Sequence, residues 1–444
     1  MLDDTSDTRA MVTQDNPAVL EVLNEISALS KRDAKAGRRW IHPFPAKMPA
    51  SVPQSAISHL VHETGVVLDP FAGSGTTLYA AQIEGRRSIG VDMDPLSILV
   101  SRVVTTPYRS EQLQELIDAL IKNARRIAAR RTKNPFPRHI SDEDAEFIRF
   151  WFPDESIRQL SALAKAIVAI EDENLRNFAW VVFSTLIISK EQGASRAMDI
   201  PRSRPHIVED KPIALPFDYW ERRFKECTSR LPLIDVEKDV PHTTVHAGDA
   251  RALPVEDSAV DLVFTSPPYS TAIDYMRGHK FSLVWMGHNL STLRHIRGTM
   301  IGSFRGMYDR DGLPKELEEM ICARKIGEAE KAQDRRYLLD LKRSISEMGR
   351  VLKRDGVAII VLGPKILSKS KNDAFRVASM VSEAAGLSVI GSANRHIMVS
   401  RRSLPFYAKK NGNPLSHRMR EEVLLAVRKT GGRETDCPQG KTTS

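Results

Sequence analysis

Cysteine is scarce: Cys227, Cys322 and Cys437 are the three in 444 residues, far apart and in no Cys-x-x-Cys pair. A disulfide framework or a structural zinc site is therefore not expected, and no metal is required by the readings below. Aromatic residues make up only 6% of the chain. Apolar runs are short, and none approaches the ~18 residues of a membrane span. The first residues, MLDDTSDTRAMVTQDN, are polar and acidic, unlike a secretory signal. A loose tail and a cytoplasmic address are expected. Internal repeats and long low-complexity tracts are also missing.

What is present is ordinary for a soluble protein, with 41% hydrophobic and 27% charged residues. The length allows two or three domains, or one large core with insertions. A net charge of +9 and a pI near 9.4 are compatible with a nucleic-acid partner.

Strand–turn–helix alternation marks two parts of the chain. VVLDP (66–70), the glycine turn FAGSGTT and RSIGVDMDP form the first. TTVHAGDARALP (243–254), DLVFTSPPY, LKRDGVAIIVLG (352–363), LSVIGSANRHIMV (387–399) and EEVLLAVRK (421–429) form the second. This rhythm predicts an α/β fold: a mostly parallel sheet covered on both faces, with ligands at the carboxyl ends of its strands. The last two strand candidates resemble an antiparallel hairpin. The expected organisation is a tail and helix at 1–38, a first sheet segment at 39–108 and a mostly helical insertion at 109–242. A second sheet segment follows at 243–430, containing a polar helical stretch at 278–350, and then a patternless tail at 431–444.

In VLDPFAGSGTT, Asp69 ends a strand, and Gly73 and Gly75 precede a helix. Such a turn lets a ligand approach the backbone closely. A phosphate-binding Walker loop would need Gly-Lys-Ser/Thr, whereas Thr76 follows Gly75 here. An acid at the mouth suits an ammonium or sulfonium group instead. Asp92 ends the next strand, 23 positions on (92 − 69), where an acid serves ribose hydroxyls in nucleotide-binding sheets. Asp249, in HAGDA, could accept a bond from an exocyclic amino group. Each acid alone could merely cap a helix or turn. Together they suit the amino-acid, ribose and adenine parts of S-adenosylmethionine.

DPFAGSGTT followed by TSPPY resembles the amino-methylating DNA methyltransferases, which modify cytosine N4 or adenine N6. The resemblance covers roughly 40–108 and 243–430. It implies a seven-stranded Rossmann-like methyltransferase sheet, mostly parallel with a late antiparallel hairpin, S-adenosyl-L-methionine as cofactor and double-stranded DNA as substrate. A cognate restriction endonuclease is a partner such enzymes imply. HPFPAKMP (42–49) resembles the segment that precedes the glycine turn and closes over the cofactor, which adds Phe44. The implied cofactor set is then Asp69, Pro70, Phe71, Gly73, Gly75, Thr76, Asp92, Asp249 and Phe44.

The catalytic set is Ser266, Pro267, Pro268 and Tyr269. An exocyclic amino group is a poor nucleophile because its lone pair is delocalised into the ring. Acceptors for its hydrogens, the Ser266 hydroxyl and the Pro267 carbonyl, would localise that pair. Two prolines stiffen the backbone and remove competing amide donors. Tyr269 offers a face for a base extruded from the duplex. Serine at the first motif position is commonest in the cytosine-N4 group. Adenine N6, and an RNA guanine-N2 methyltransferase carrying a related motif, remain alternatives. Cytosine C5 would need a Pro-Cys nucleophile, and Cys437-Pro438 is reversed.

The basic stripe IKNARRIAARRTKNPFPRHI (121–140) contains Arg125, Arg126, Arg130 and Arg131 and no acid. It is a candidate phosphate contact, although a solvated helix face would look the same. Arg277 and Lys280, just after SPPY, and Arg401 and Arg402, in the late hairpin, are further candidates. SRAMDIPRSRPH (195–206) could read base edges.

Overall fold

The computed structural model describes residues 11–12, 16–32, 41–43, 48–130, 132–189, 193–198, 200, 205–231, 241–269, 274–301, 312–363, 367, 371–397 and 421–429. Its strands in chain order are β1 (Met11–Val12), β2 (Val66–Asp69), β3 (Arg87–Asp92), β4 (Ala197–Met198) and β5 (His206–Ile207). They continue with β6 (Thr243–Ala247), β7 (Val260–Thr265), β8 (Leu352–Leu362), β9 (Leu387–His396) and β10 (Glu421–Lys429). The first helices are α1 (Pro17–Arg32), α2 (Ser51–Leu60), α3 (Thr76–Ile83), α4 (Pro95–Thr105) and α5 (Ser110–Ala129). Next come α6 (Asp142–Trp151), α7 (Asp154–Val168), α8 (Glu173–Ile187), α9 (Pro216–Thr228) and α10 (Met276–Leu283). The last are α11 (Leu290–Thr299), α12 (Lys315–Cys322), α13 (Glu328–Val351) and α14 (Lys371–Ala384). None of the described helices is long and apolar enough to cross a membrane.

The main sheet runs β1-β9-β10-β8-β7-β2-β3-β6. β8, β7, β2, β3 and β6 pair in parallel, whereas β10 is antiparallel to both neighbours, β8 and β9. The seven expected strands are present. β1 is an eighth: it pairs with the outer edge of β9, Met11 opposite Ser392, and covers an edge that would otherwise expose unpaired backbone groups. Part of the expected tail is therefore strand.

Side chains alternate between two cores, as strand geometry requires. Val67, Leu262, Ile359 and Leu424 meet α1 and α2 on one face. Leu68, Val263, Ile360 and Leu425 meet α12, α13 and α14 on the other. Burial on both faces explains why these strands read as continuous apolar runs.

A third core belongs to the helical unit and joins Phe152, Phe178, Phe183 and Trp220 to Phe281 and Trp285. Phe281 and Trp285 come from α10 and the turn after it, inside the stretch expected to be one polar helical insert. That stretch is thus divided: α10 and α11 complete the helical unit, while α12 and α13 cover the sheet.

Candidate active site

β2 and β7 are parallel neighbours at the point where the chain reverses direction across the sheet. From β2 it proceeds outward to β3 and β6; from β6 it returns to the other side of β2. Such a switch point opens a crevice at the carboxyl ends of the strands. The glycine turn leaves β2 there, and Ser266-Pro267-Pro268-Tyr269 leaves β7. Two bonds tie the two ends: the Thr265 hydroxyl donates to Asp69 Oδ1 at 2.6 Å, and the Thr77 hydroxyl donates to the Phe264 carbonyl at 3.3 Å. The Phe71 amide donates to Asp69 Oδ1 at 3.1 Å. Asp69 is only 4% exposed, and burial raises its pKa against the opposing pull of the Thr265 and Thr77 hydroxyls. It lies beneath the turn, as a tie between strands.

Above it, Gly73 and Gly75 adopt φ of +52° and +77°, the left-handed region that favours glycine. A Cβ on Gly75 would lie 2.7 Å from Val104 Cγ2 on α4. The Gly73 amide donates to Asp92 Oδ2 at 2.8 Å, and the Asp94 amide to Asp92 Oδ1 at 2.9 Å. Burial, and then the charge of Asp94, push Asp92 up to about 7. Asp94 itself caps α4 through the Leu96 amide and lies 2.5 Å from His279 Nδ1 on α10. Tyr275, pushed up to about 12 by burial and the charges of Asp92 and Asp94, completes this acidic corner. Pro70 and Thr76 are buried and Phe71 half-buried along the turn.

Asp249 follows β6, and its carboxylate is gripped by Arg251, with Nη2 2.6 Å from Oδ2 and Nε 2.9 Å from Oδ1. Arg251 also donates to Asp340 at 2.7 Å and to the Thr299 carbonyl at 2.6 Å. An amino group arriving at Asp249 would share its lone pairs with that guanidinium. Phe44 lies outside the described residues.

On the opposite wall Pro267 is buried, while Ser266, Pro268 and Tyr269 are half-buried. The Tyr269 ring lies against Gly363 at the end of β8, where a Cβ would come within 2.8 Å of it. The Ser266 hydroxyl donates to Tyr269 Oη at 3.3 Å, and Oη donates to Glu422 Oε1 at 3.1 Å. Arg395 holds the other Glu422 oxygen, with Nε at 3.0 Å. Burial, reinforced by the charge of Glu422, raises the Tyr269 pKa well above the usual phenol range.

Arg125, Arg126 and Arg130 are exposed at the carboxyl end of α5, Arg125 stacking over Phe217 at 5.2 Å. Arg277 pairs with Asp274 at 2.9 Å. Lys280 lies over Phe147 at 5.3 Å, its pKa lowered by burial and then by Arg297. Arg131, Arg401 and Arg402 lie outside the described residues, as does most of 199–204. Glu422, Arg395 and Arg251 were not singled out from the sequence, because no local motif surrounds them.

Residues 4–99 match the family model described as DNA methylase. The chain is 24% identical over 338 residues to the type II methyltransferase M.MvaI of Kocuria varians, covering 70% of this chain and 73% of that protein. It is 19% identical over 464 aligned positions to the type II methyltransferase M.MjaII of Methanocaldococcus jannaschii, covering 85% and 80%.

Proposed function

We propose that this member of the amino-methylating DNA methyltransferases modifies cytosine at N4. S-adenosylmethionine is its cofactor and DNA its substrate. The supporting observation is the bond between Asp69 and Thr265 across the paired strands β2 and β7, which sets the glycine turn and the diproline motif side by side at one sheet edge. The residues present fit the cofactor. A buried carboxylate raised to about 7, as at Asp92, is short of donors, and two ribose hydroxyls would supply them. Gly73, in its left-handed turn, leaves the backbone open to a ligand. When bound, the sulfonium supplies an electrophilic methyl group.

The chain's own part is positioning. Pro267, buried, fixes its carbonyl as one acceptor for the amino hydrogens, and the Ser266 hydroxyl is the second. Holding both hydrogens draws the amino nitrogen toward tetrahedral geometry and frees its lone pair for the methyl carbon. Tyr269, pinned against Gly363, presents its remaining face to the extruded base. Ser266 at the first motif position favours cytosine over adenine. The exposed arginines of α5 are the proposed phosphate contacts, and an endonuclease sharing the same site is the proposed partner.

The reading is tested by expressing the chain in a host free of DNA methylation and digesting its DNA to nucleosides. N4-methyldeoxycytidine is expected by mass spectrometry, and its loss in Pro267→Ala. N6-methyldeoxyadenosine alone, or a methyl label found only in RNA, would reject cytosine N4.

A further inference from the structure

A serine hydroxyl can donate or accept, so its presence at a site does not decide which it does there. For an amino-methylating site the distinction matters: the substrate nitrogen carries hydrogens, and Ser266 helps only as an acceptor. The hydrogen-bond chain behind it contains a group that settles the direction. Glu422 is an acceptor held on one side by Arg395, and each is less than one-tenth exposed. Tyr269 Oη must therefore donate its only hydrogen to Glu422. The lone pairs of Oη are then left to accept, and the Ser266 hydroxyl donates to them. With its hydrogen turned inward, Ser266 faces the crevice with lone pairs alone.

We infer that Glu422, anchored by Arg395, is a positioning residue that polarises the relay Glu422–Tyr269–Ser266 and so makes Ser266 an obligate acceptor for the substrate amino group. This rests on the reading of the site as an amino-methyltransferase.

The fold explains how a residue 153 positions from Tyr269 reaches it. β10 is antiparallel to the strands beside it, so its first residues stand where β7 and β8 end. Glu422 is also the direct cross-strand partner of Arg395 on β9, an arrangement that opposite charges favour. The pair lies under Tyr269 while Gly363 holds the ring from the side. A buried ion pair contributes little to stability on its own. Its orientation toward Oη gives it a second use.

The experiment compares wild type, Glu422→Gln, Glu422→Asp, Tyr269→Phe and the Tyr269→Phe/Glu422→Gln double variant. Methyl transfer to duplex DNA, binding of S-adenosylhomocysteine by calorimetry and thermal unfolding are measured for each. Glutamine can donate to Oη and reverse the relay. Aspartate keeps a carboxylate beside Arg395 but falls short of Oη. Both are expected to lower kcat by about ten- to a hundred-fold, the size of a hydrogen bond to a charged group, with KM for DNA and ligand affinity within about two-fold of wild type. In the Tyr269→Phe background, Glu422→Gln should cost nothing more, because the link it acts through is gone. Unchanged kcat in both single variants, or losses that multiply in the double variant, would overturn the inference. Wild type that transfers no methyl group to any duplex would remove the methyltransferase reading itself, and this inference with it.

Discussion

Asp92 makes the cofactor reading testable by pH alone. Its carboxyl is held near 7 in the folded protein against an ordinary 3.8, by burial and by the neighbouring charge of Asp94. Between those values the folded chain keeps a proton that the unfolded chain has lost. Stability of the free protein should therefore fall as pH rises from about 4 to about 7. Ligand binding should show the opposite trend. Ribose hydroxyls donate to the ionised form, so binding below 7 must first expel the proton. At pH 5, two units below the midpoint, about 1% of Asp92 is ionised, which corresponds to about 2.7 kcal/mol, or a hundred-fold in affinity. Asp92 keeps some solvent contact, which screens the shift and makes hundred-fold the upper end. Calorimetric titration with S-adenosylhomocysteine, which carries the same ribose, should show affinity climbing from pH 5 to 7 and levelling off above. Asp92→Asn should bind weakly and lose the slope. Affinity that stays flat from pH 5 to 8 in the wild type, or an unchanged slope in Asp92→Asn, would refute the assignment of Asp92 to the ribose.

Gly75→Ala should lose about 2–5 kcal/mol, combining left-handed strain with overpacking against Val104; wild-type stability in chemical denaturation would contradict the turn's packing on α4. Thr265→Val removes a donor from buried Asp69 and should cost about 1–3 kcal/mol. Because that hydroxyl favours the ionised carboxylate, the loss should be larger at pH 8 than at pH 5, and an equal loss at both would argue against the tie. Arg125→Ala and Arg126→Ala should each flatten the dependence of log Kd for DNA on log salt by about 1; an unchanged slope in both would move the phosphate contact off α5.

Much of this site could be read from the chain because its parts are local. DPFAGSGTT and TSPPY each place a strand end, a constrained backbone and a functional group within ten residues, and such packages survive any uncertainty about the rest of the fold. What the sequence could not convey depends on partners far along the chain. Asp69 looked like a free acid, but Thr265, 196 positions away, converts it into a strand tie. Asp249 looked like a spare acceptor; its partner Arg251 is only two positions away, but Arg251 is held across it by Asp340 and the Thr299 carbonyl, 89 and 48 positions on. Glu422 opens an ordinary strand pattern, and only the antiparallel insertion of β10 carries it beneath Tyr269. The helical stretch 278–350 has a single polar texture in sequence, yet Phe281 and Trp285 bury themselves in one core and Leu338 and Leu341 in another.

That division bears on how the two walls of the crevice are coupled. The glycine turn is rooted in the sheet through Asp69 and packs on α4 through Gly75. The diproline motif precedes α10 in the sequence, and Phe281 of α10 lies in the aromatic core of the helical unit. Gly278 on α10 packs so tightly that a Cβ would come within 2.6 Å of the Ile200 carbonyl. A second link between the walls, besides Thr265 to Asp69, is Asp94 to His279 at 2.5 Å, with Asp94 next to the carboxylate proposed for the ribose. Behind it, Ser282 receives a bond from Ser184 on α8, which lies 3.0 Å from His42, the first residue of the segment expected to close over the cofactor. The helical unit is therefore more than an appendage inserted between two strands: it packs α10 from behind, and it meets the first sheet segment through His279 and through α4, whose Leu96, Val100, Val103 and Val104 lie in the same core. The proposed phosphate contacts on α5 and the helix that follows Tyr269 in the chain, α10, thus belong to one packed unit.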